Sequence, residues 1–153
     1  MKKSFLILII LLFNSLTFPY NLNEELISAV MEGNLNKVSS LIKKGANVNY
    51  IKKQHELYTT PLIAAITSGP KGYIDIVDLL LKNNADINLV TPDGWNSLIC
   101  ASYWGRVEIV KLLLKRKPNL HQKTVEGYTA LSLAREQGCK EIVKLLLKAG
   151  AKE

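Results

Sequence analysis

The chain has 153 residues and a mass of 17.1 kDa, the size of one ordinary domain. Apolar residues make up 48% and charged residues 22%, which excludes disorder as the default, and two Cys exclude a disulfide framework. The net charge of +7 is uneven: residues 21–88 balance, whereas 89–153 hold eleven basic against six acidic side chains. Such an excess can mark an acidic partner, a nucleic acid or a membrane surface, but a solvated face explains it equally and is the simpler reading.

The first segment, residues 1–20, opens with Lys2 and Lys3, then nine uninterrupted apolar residues from Phe5 to Phe13, and ends near Pro19. This is the basic start and apolar run of a secretory signal peptide. The run falls well short of the roughly 20 residues that a spanning helix needs. An uncleaved anchor and a buried helix are the alternatives. Export, to the periplasm or the medium, is the expectation, with Ser15-x-Thr17 the nearest small-x-small cleavage candidate.

The remainder repeats itself. Gly-Tyr-Ile-Asp-Ile-Val-Asp-Leu-Leu-Leu-Lys from Gly72 recurs with few changes from Gly105 and Gly138, at a spacing of 33 residues. A weaker copy starts at Gly33. Upstream of the three later glycines lie Thr60-Pro-Leu-Ile-Ala-Ala, Asn96-Ser-Leu-Ile-Cys-Ala and Thr129-Ala-Leu-Ser-Leu-Ala. Thr60 is a helix N-cap and Pro61 suits the first helical position, where a missing N–H costs nothing. Leu62, Ala65 and Ile66 then share one face of a short inner helix. After Gly72 an outer helix follows, with Ile76, Val77, Leu80 and Leu81 as its buried stripe and Asp75 in its first turn. Asn84 ends it where Gly45 and Gly150 end its counterparts. One such helix pair cannot bury its apolar face, whereas a stack of copies can.

With these motifs the unit resembles the ankyrin repeat, whose 33-residue period and T-P-L-H-x-A signature are matched by Thr60, Pro61, Leu62 and Ala65. The resemblance implies an all-α solenoid of about four helix–turn–helix units with short β-turn or hairpin fingers. The units fall at about 23–49, 50–88, 89–121 and 122–153, after a signal segment at 1–20. The first resembles the family's polar N-terminal cap. Three departures stand out. Ile63, Ile99 and Ser132 replace the signature His, so its hydrogen bond is absent or replaced. The second unit carries six extra residues, three before Thr60 and three at Gly69-Pro70-Lys71. Lys117-Pro118 replaces Gly-Ala, which predicts that the third outer helix ends differently and that 116–120 is more mobile.

No catalytic constellation emerges. His55 and His121 have no Cys or carboxylate at metal-ligand spacing, and His121 stands where other units carry Asn49 and Asn88, bracing a turn. Asp75, Glu108 and Glu141 recur at one repeat position, a helix N-terminus, which points to architecture. Lys43, Lys82, Lys115 and Lys148 form a column of helix-ending cations with no interleaved aromatic groove, so nucleic acid is not expected. Register places Cys100 and Cys139 beyond the ~7 Å limit for a disulfide, predicting two free thiols.

What the resemblance implies about function is a non-catalytic protein-binding module: no enzyme activity, no cofactor or metal, no small-molecule substrate, and a monomer touching membrane only through an uncleaved N-terminus. The expectation is an exported bacterial protein that binds a partner protein on its concave side. A secreted effector or toxin-neutralising protein is the alternative. Carried onto this chain, the family's binding positions are Asp93, Trp95, Glu126 and Tyr128 at turn tips, and Tyr103 and Trp104 at an inner-helix end. Met31, Glu32, Glu136 and Gln137 occupy equivalent helix ends. Both Trp residues fall where the fold does not require an apolar group, and Trp and Tyr dominate interface hot spots. The competing reading is that the two Trp pack on each other or fill the gap beside the Gly69–Lys71 insertion.

Overall fold

The computed structural model describes residues 21–152 apart from Glu56; the expected signal segment lies outside the described residues. Among the described residues eight helices follow one another in pairs: α1 (Leu22–Met31) with α2 (Leu35–Lys43), α3 (Pro61–Thr67) with α4 (Ile74–Lys82), α5 (Ser97–Tyr103) with α6 (Val107–Leu114), and α7 (Ala130–Glu136) with α8 (Lys140–Ala149). The first of each pair forms an inner row, α1 against α3, then α5, then α7; the second forms an outer row, α2 against α4, then α6, then α8. The main contacts of each pair are with its neighbours, which makes the described chain a helical repeat solenoid.

Local chemistry starts each inner helix. The side chains of Asn21, Thr60, Asn96 and Thr129 accept hydrogen bonds from backbone N–H groups of the first turns they cap. Thr60 Oγ1 accepts from the Ile63 N–H at 3.1 Å, with Pro61 next to it at the first helical position. Where the signature His is replaced, Ile63 and Ile99 are simply buried. Ser132 does more: its Oγ accepts from the Thr129 N–H at 2.8 Å while Thr129 Oγ1 accepts from the Ser132 N–H, closing a capping box.

The inner helices are buried more completely than a one-faced stripe implies. Every residue from Pro61 to Ile66 and from Ser97 to Ser102 is buried, because each interior helix is flanked by two inner neighbours and its own outer partner. The outer helices keep the expected stripe, with Ile76, Val77, Leu80 and Leu81 buried.

A hydrogen-bond ladder links successive loops. Asn23 Oδ1 accepts from the Asn47 N–H at 2.7 Å, Asn49 Oδ1 from the Asp86 N–H at 2.7 Å, and Asn88 Oδ1 from the Asn119 N–H at 2.8 Å. The bracing role assigned to Asn49 and Asn88 thus reaches the next repeat. His121, at the equivalent position, is the last of the series; its N–H donates to Asn119 Oδ1 at 3.0 Å.

Lys117 overturns its sequence-based expectation. It takes φ 52, the same left-handed geometry as Asn84 at φ 64 and Gly150 at φ 101, because the repeat register demands that turn. The effect of Pro118 appears one step away. Ala46, Ala85 and Ala151 each donate to the carbonyl five residues back (Leu41, Leu80, Leu146), and Pro118 has no N–H to give. The Leu113 carbonyl keeps the bond from the Arg116 N–H at 2.9 Å, the counterpart of Asn83 to Leu80, and α6 stops at Leu114, so Lys115 caps the helix from just outside it.

Each insertion adds a distinct feature. The three residues before Thr60 lengthen the turn into an antiparallel hairpin, β1 (Lys52–Gln54) paired with β2 (Leu57–Thr59), whose loop holds His55 at φ 57. The Gly69–Lys71 insertion is held by Arg106 of the next repeat, whose guanidinium donates to the carbonyls of Ile66 (3.2 Å), Gly69 (3.0 Å) and Pro70 (2.5 Å).

Candidate functional site

The turn tips after α4 and α6 are built alike. The Thr91 N–H donates to the Trp95 carbonyl at 2.9 Å and the Thr124 N–H to the Tyr128 carbonyl at 2.9 Å, while each Thr hydroxyl oxygen accepts from the N–H of the same aromatic residue. The two tips then stack, with the Val125 N–H donating to the Asp93 carbonyl at 3.2 Å. Gly94, at φ 87, is needed there: a Cβ on it would lie 2.7 Å from Thr124 Cα and 2.8 Å from the Val125 nitrogen. This packing fixes Asp93 and Trp95 relative to the end of α5.

Three aromatic rings meet at that end in an edge-to-face chain. Trp95 lies against Tyr103 with centroids 5.7 Å apart and planes at 86°, and Tyr103 against Trp104 at 5.5 Å and 89°. The two Trp therefore do not pack on each other directly; Tyr103 stands between them. Trp95 is half-buried against the core, whereas Trp104 is 51% exposed and Tyr103 38% exposed. The guanidinium of Arg106 lies 6.0 Å from the Trp104 ring centroid. Trp104 thus neighbours the clamp on the Gly69–Lys71 insertion.

Trp95 and Trp104 form one wall of a groove of about 550 Å³ on the inner-helix side, and Asp93 and Cys100 share that wall. The opposite wall comes from the hairpin and α3, through Leu57, Tyr58 and Ile63 among others, and Met31 closes one end. Leu57 is 74% and Met31 55% exposed, so the lining presents apolar groups to solvent beside the exposed His55. Lys53 Nζ sits 5.6 Å from the Tyr58 ring centroid.

Of the six residues singled out by sequence, Asp93, Trp95 and Trp104 line this groove and Tyr103 touches both Trp rings. Glu126 and Tyr128 are exposed on the next tip, one repeat along, and do not line it. Met31 belongs to the groove; Glu32, Glu136 and Gln137 do not. Sequence reasoning missed Leu57 and Tyr58 by reading the extra residues before Thr60 only as spacing. The β-prone run Leu-Tyr-Thr at 57–59 was the available signal.

The site offers little for chemistry. Both Cys are free thiols; Cys100 is buried, and burial first, then the negative charge of Asp93, push its thiol up to about 12. Among the described residues no three His, Cys, Asp or Glu side chains converge as a metal site requires. The recurring acids serve the stack: Lys111 bridges Glu108 at 2.8 Å and Glu141 at 2.9 Å, joining α6 to α8. Hydrogen bonds to these two carboxylates raise the Lys111 pKa. At the other end Glu24 pairs with Lys52 and accepts from the Tyr50 hydroxyl at 2.9 Å, and the Lys52 contact chiefly lowers its carboxyl pKa.

A family model of ankyrin repeats, spanning three copies, matches the chain at residues 10–91 and again at 70–153. The chain belongs to the ankyrin repeat family. Repeats of this family are generally protein–protein interaction modules and are typically non-catalytic. No curated protein matches the chain significantly.

Proposed function

We propose that this chain is a non-catalytic, exported module that binds a partner protein on its inner-helix side, with Trp104, Tyr103 and Trp95 as the anchor and Asp93 beside them. The observation that carries this reading is the exposed aromatic chain at the end of α5, opening on an apolar groove in a fold whose family generally binds proteins. Glu126 and Tyr128, on the next tip, extend the same side for a larger partner. Export rests on the basic start and the Phe5–Phe13 apolar run.

The test is a cross-linking capture of the native partner from the envelope fraction, repeated with variants. Trp104→Ala is expected to weaken binding by at least ~2 kcal/mol with little change in the thermal midpoint. Trp95→Ala is expected to lower both, because Trp95 also packs against the core. Unchanged capture by Trp104→Ala moves the site elsewhere. Fractionation decides the compartment: periplasmic retention supports a resident binding protein, and recovery from medium or host cells supports a delivered effector.

A further inference from the structure

The groove has one feature that a plain apolar docking surface lacks. Asp93 stands in its wall, and Asp93 Oδ1 is buried with no hydrogen-bond partner. A carboxylate held partly out of water with one oxygen unpaired is poorly screened, so its negative charge acts on whatever occupies the groove. The nearby basic groups are Arg106, on three carbonyls and near Trp104, Lys53 over Tyr58, and His55, which lines the groove from the hairpin loop. Asp93 is also the one carboxylate among the described residues lining the groove.

We propose that the groove takes a lysine or arginine side chain of the partner, carried on a segment with apolar residues on either side. This rests on the docking reading above and specifies its chemistry. The basic head meets the Asp93 carboxylate and the π faces of Trp95 and Trp104, which attract cations. Its aliphatic stem and apolar neighbours cover Leu57 and Met31 at the rim. Discrimination follows from charge: a glutamate would meet Asp93 as a like charge, and a leucine would leave the carboxylate without a counter-charge. A glutamine would offer a donor but no compensating charge. A volume of about 550 Å³ suits one long side chain with its immediate neighbours.

Both Trp residues of the chain border this groove, so tryptophan emission reports on it alone. The purified chain is titrated with capped heptapeptides Gly-Leu-Ala-Xaa-Ala-Leu-Gly in which Xaa is Lys, Arg, Gln, Leu or Glu. Lys and Arg peptides are expected to bind at least about tenfold more tightly than the Gln peptide, with the Glu peptide weakest. Asp93→Asn is expected to reduce the Lys-over-Gln ratio to about threefold or less. Asp93→Glu, which keeps the charge, is expected to restore the preference. Equal affinities across the series, or a Lys preference that survives Asp93→Asn, overturns the proposal. So does an emission shift that follows protein concentration without peptide, which assigns the groove to a second copy. The two readings fail separately. Loss of native capture on Trp104→Ala with no peptide charge preference removes this proposal and leaves the docking site standing. Capture indifferent to Trp104→Ala removes the docking site itself.

Discussion

Lys117 pays a steric penalty for its place in the repeat. At φ 52 its Cβ crowds its own backbone, and left-handed geometry costs a non-glycine residue roughly 1–2 kcal/mol. Gly45 and Gly150 fill the equivalent positions in the first and last repeats without it. Lys117→Gly is therefore expected to raise stability by about 1 kcal/mol, less whatever the freer unfolded chain takes back. A urea midpoint unchanged or lowered by the substitution would show that the turn is unstrained. The local rule about Pro118 was sound, but it acts by removing one N–H and shortening α6, not by changing the turn.

Arg106 shows what an element can owe to a neighbour. The Gly69–Lys71 insertion has little apolar burial of its own, and three of the carbonyls around it point at one guanidinium from the next repeat. The guanidinium meets the three acceptors from three separate nitrogens, a spread that the single nitrogen of a lysine does not match. Arg106→Lys is expected to cost about 1–2 kcal/mol after allowing for partial exposure. It should also speed hydrogen exchange at Tyr73, whose N–H closes this loop on the Ala65 carbonyl at 2.8 Å. Exchange at Tyr73 equal to that of the unmodified chain would mean that the loop holds itself.

At the scale of the whole stack, the inner row decides how the molecule unfolds. Leu26 in α1 and Leu98 in α5 are both fully buried, so each truncation opens a cavity and costs about 2–5 kcal/mol. Their neighbours differ. α5 packs between α3 and α7, whereas among the described residues α1 has α3 alone beside it in the inner row. Leu98→Ala weakens two interfaces of a chain whose stability is a sum over neighbours. Its denaturation midpoint is expected to fall further than that of Leu26→Ala, with a broader transition as the two halves uncouple. Equal midpoints and equal slopes would contradict that division.

The sequence by itself determined the repeat. Its 33-residue period, the Thr60 and Thr129 caps, the Ile76–Leu81 stripe and the glycine-like turn positions are local, periodic signals, and local chemistry suffices to write them. It also marked Asp93, Trp95, Tyr103 and Trp104, because each occupies a position the fold does not need to fill that way. What only the tertiary structure decided were contacts between repeats, which no single unit encodes. The Asn49 and Asn88 ladder and the Arg106 clamp join residues 31 to 40 positions apart. The opposite wall of the groove likewise comes from a hairpin one repeat upstream of the aromatic rings. Tyr103 came to lie between the two Trp because the turn tip and the α5 end are brought together by stacking, a distance that composition and spacing do not contain.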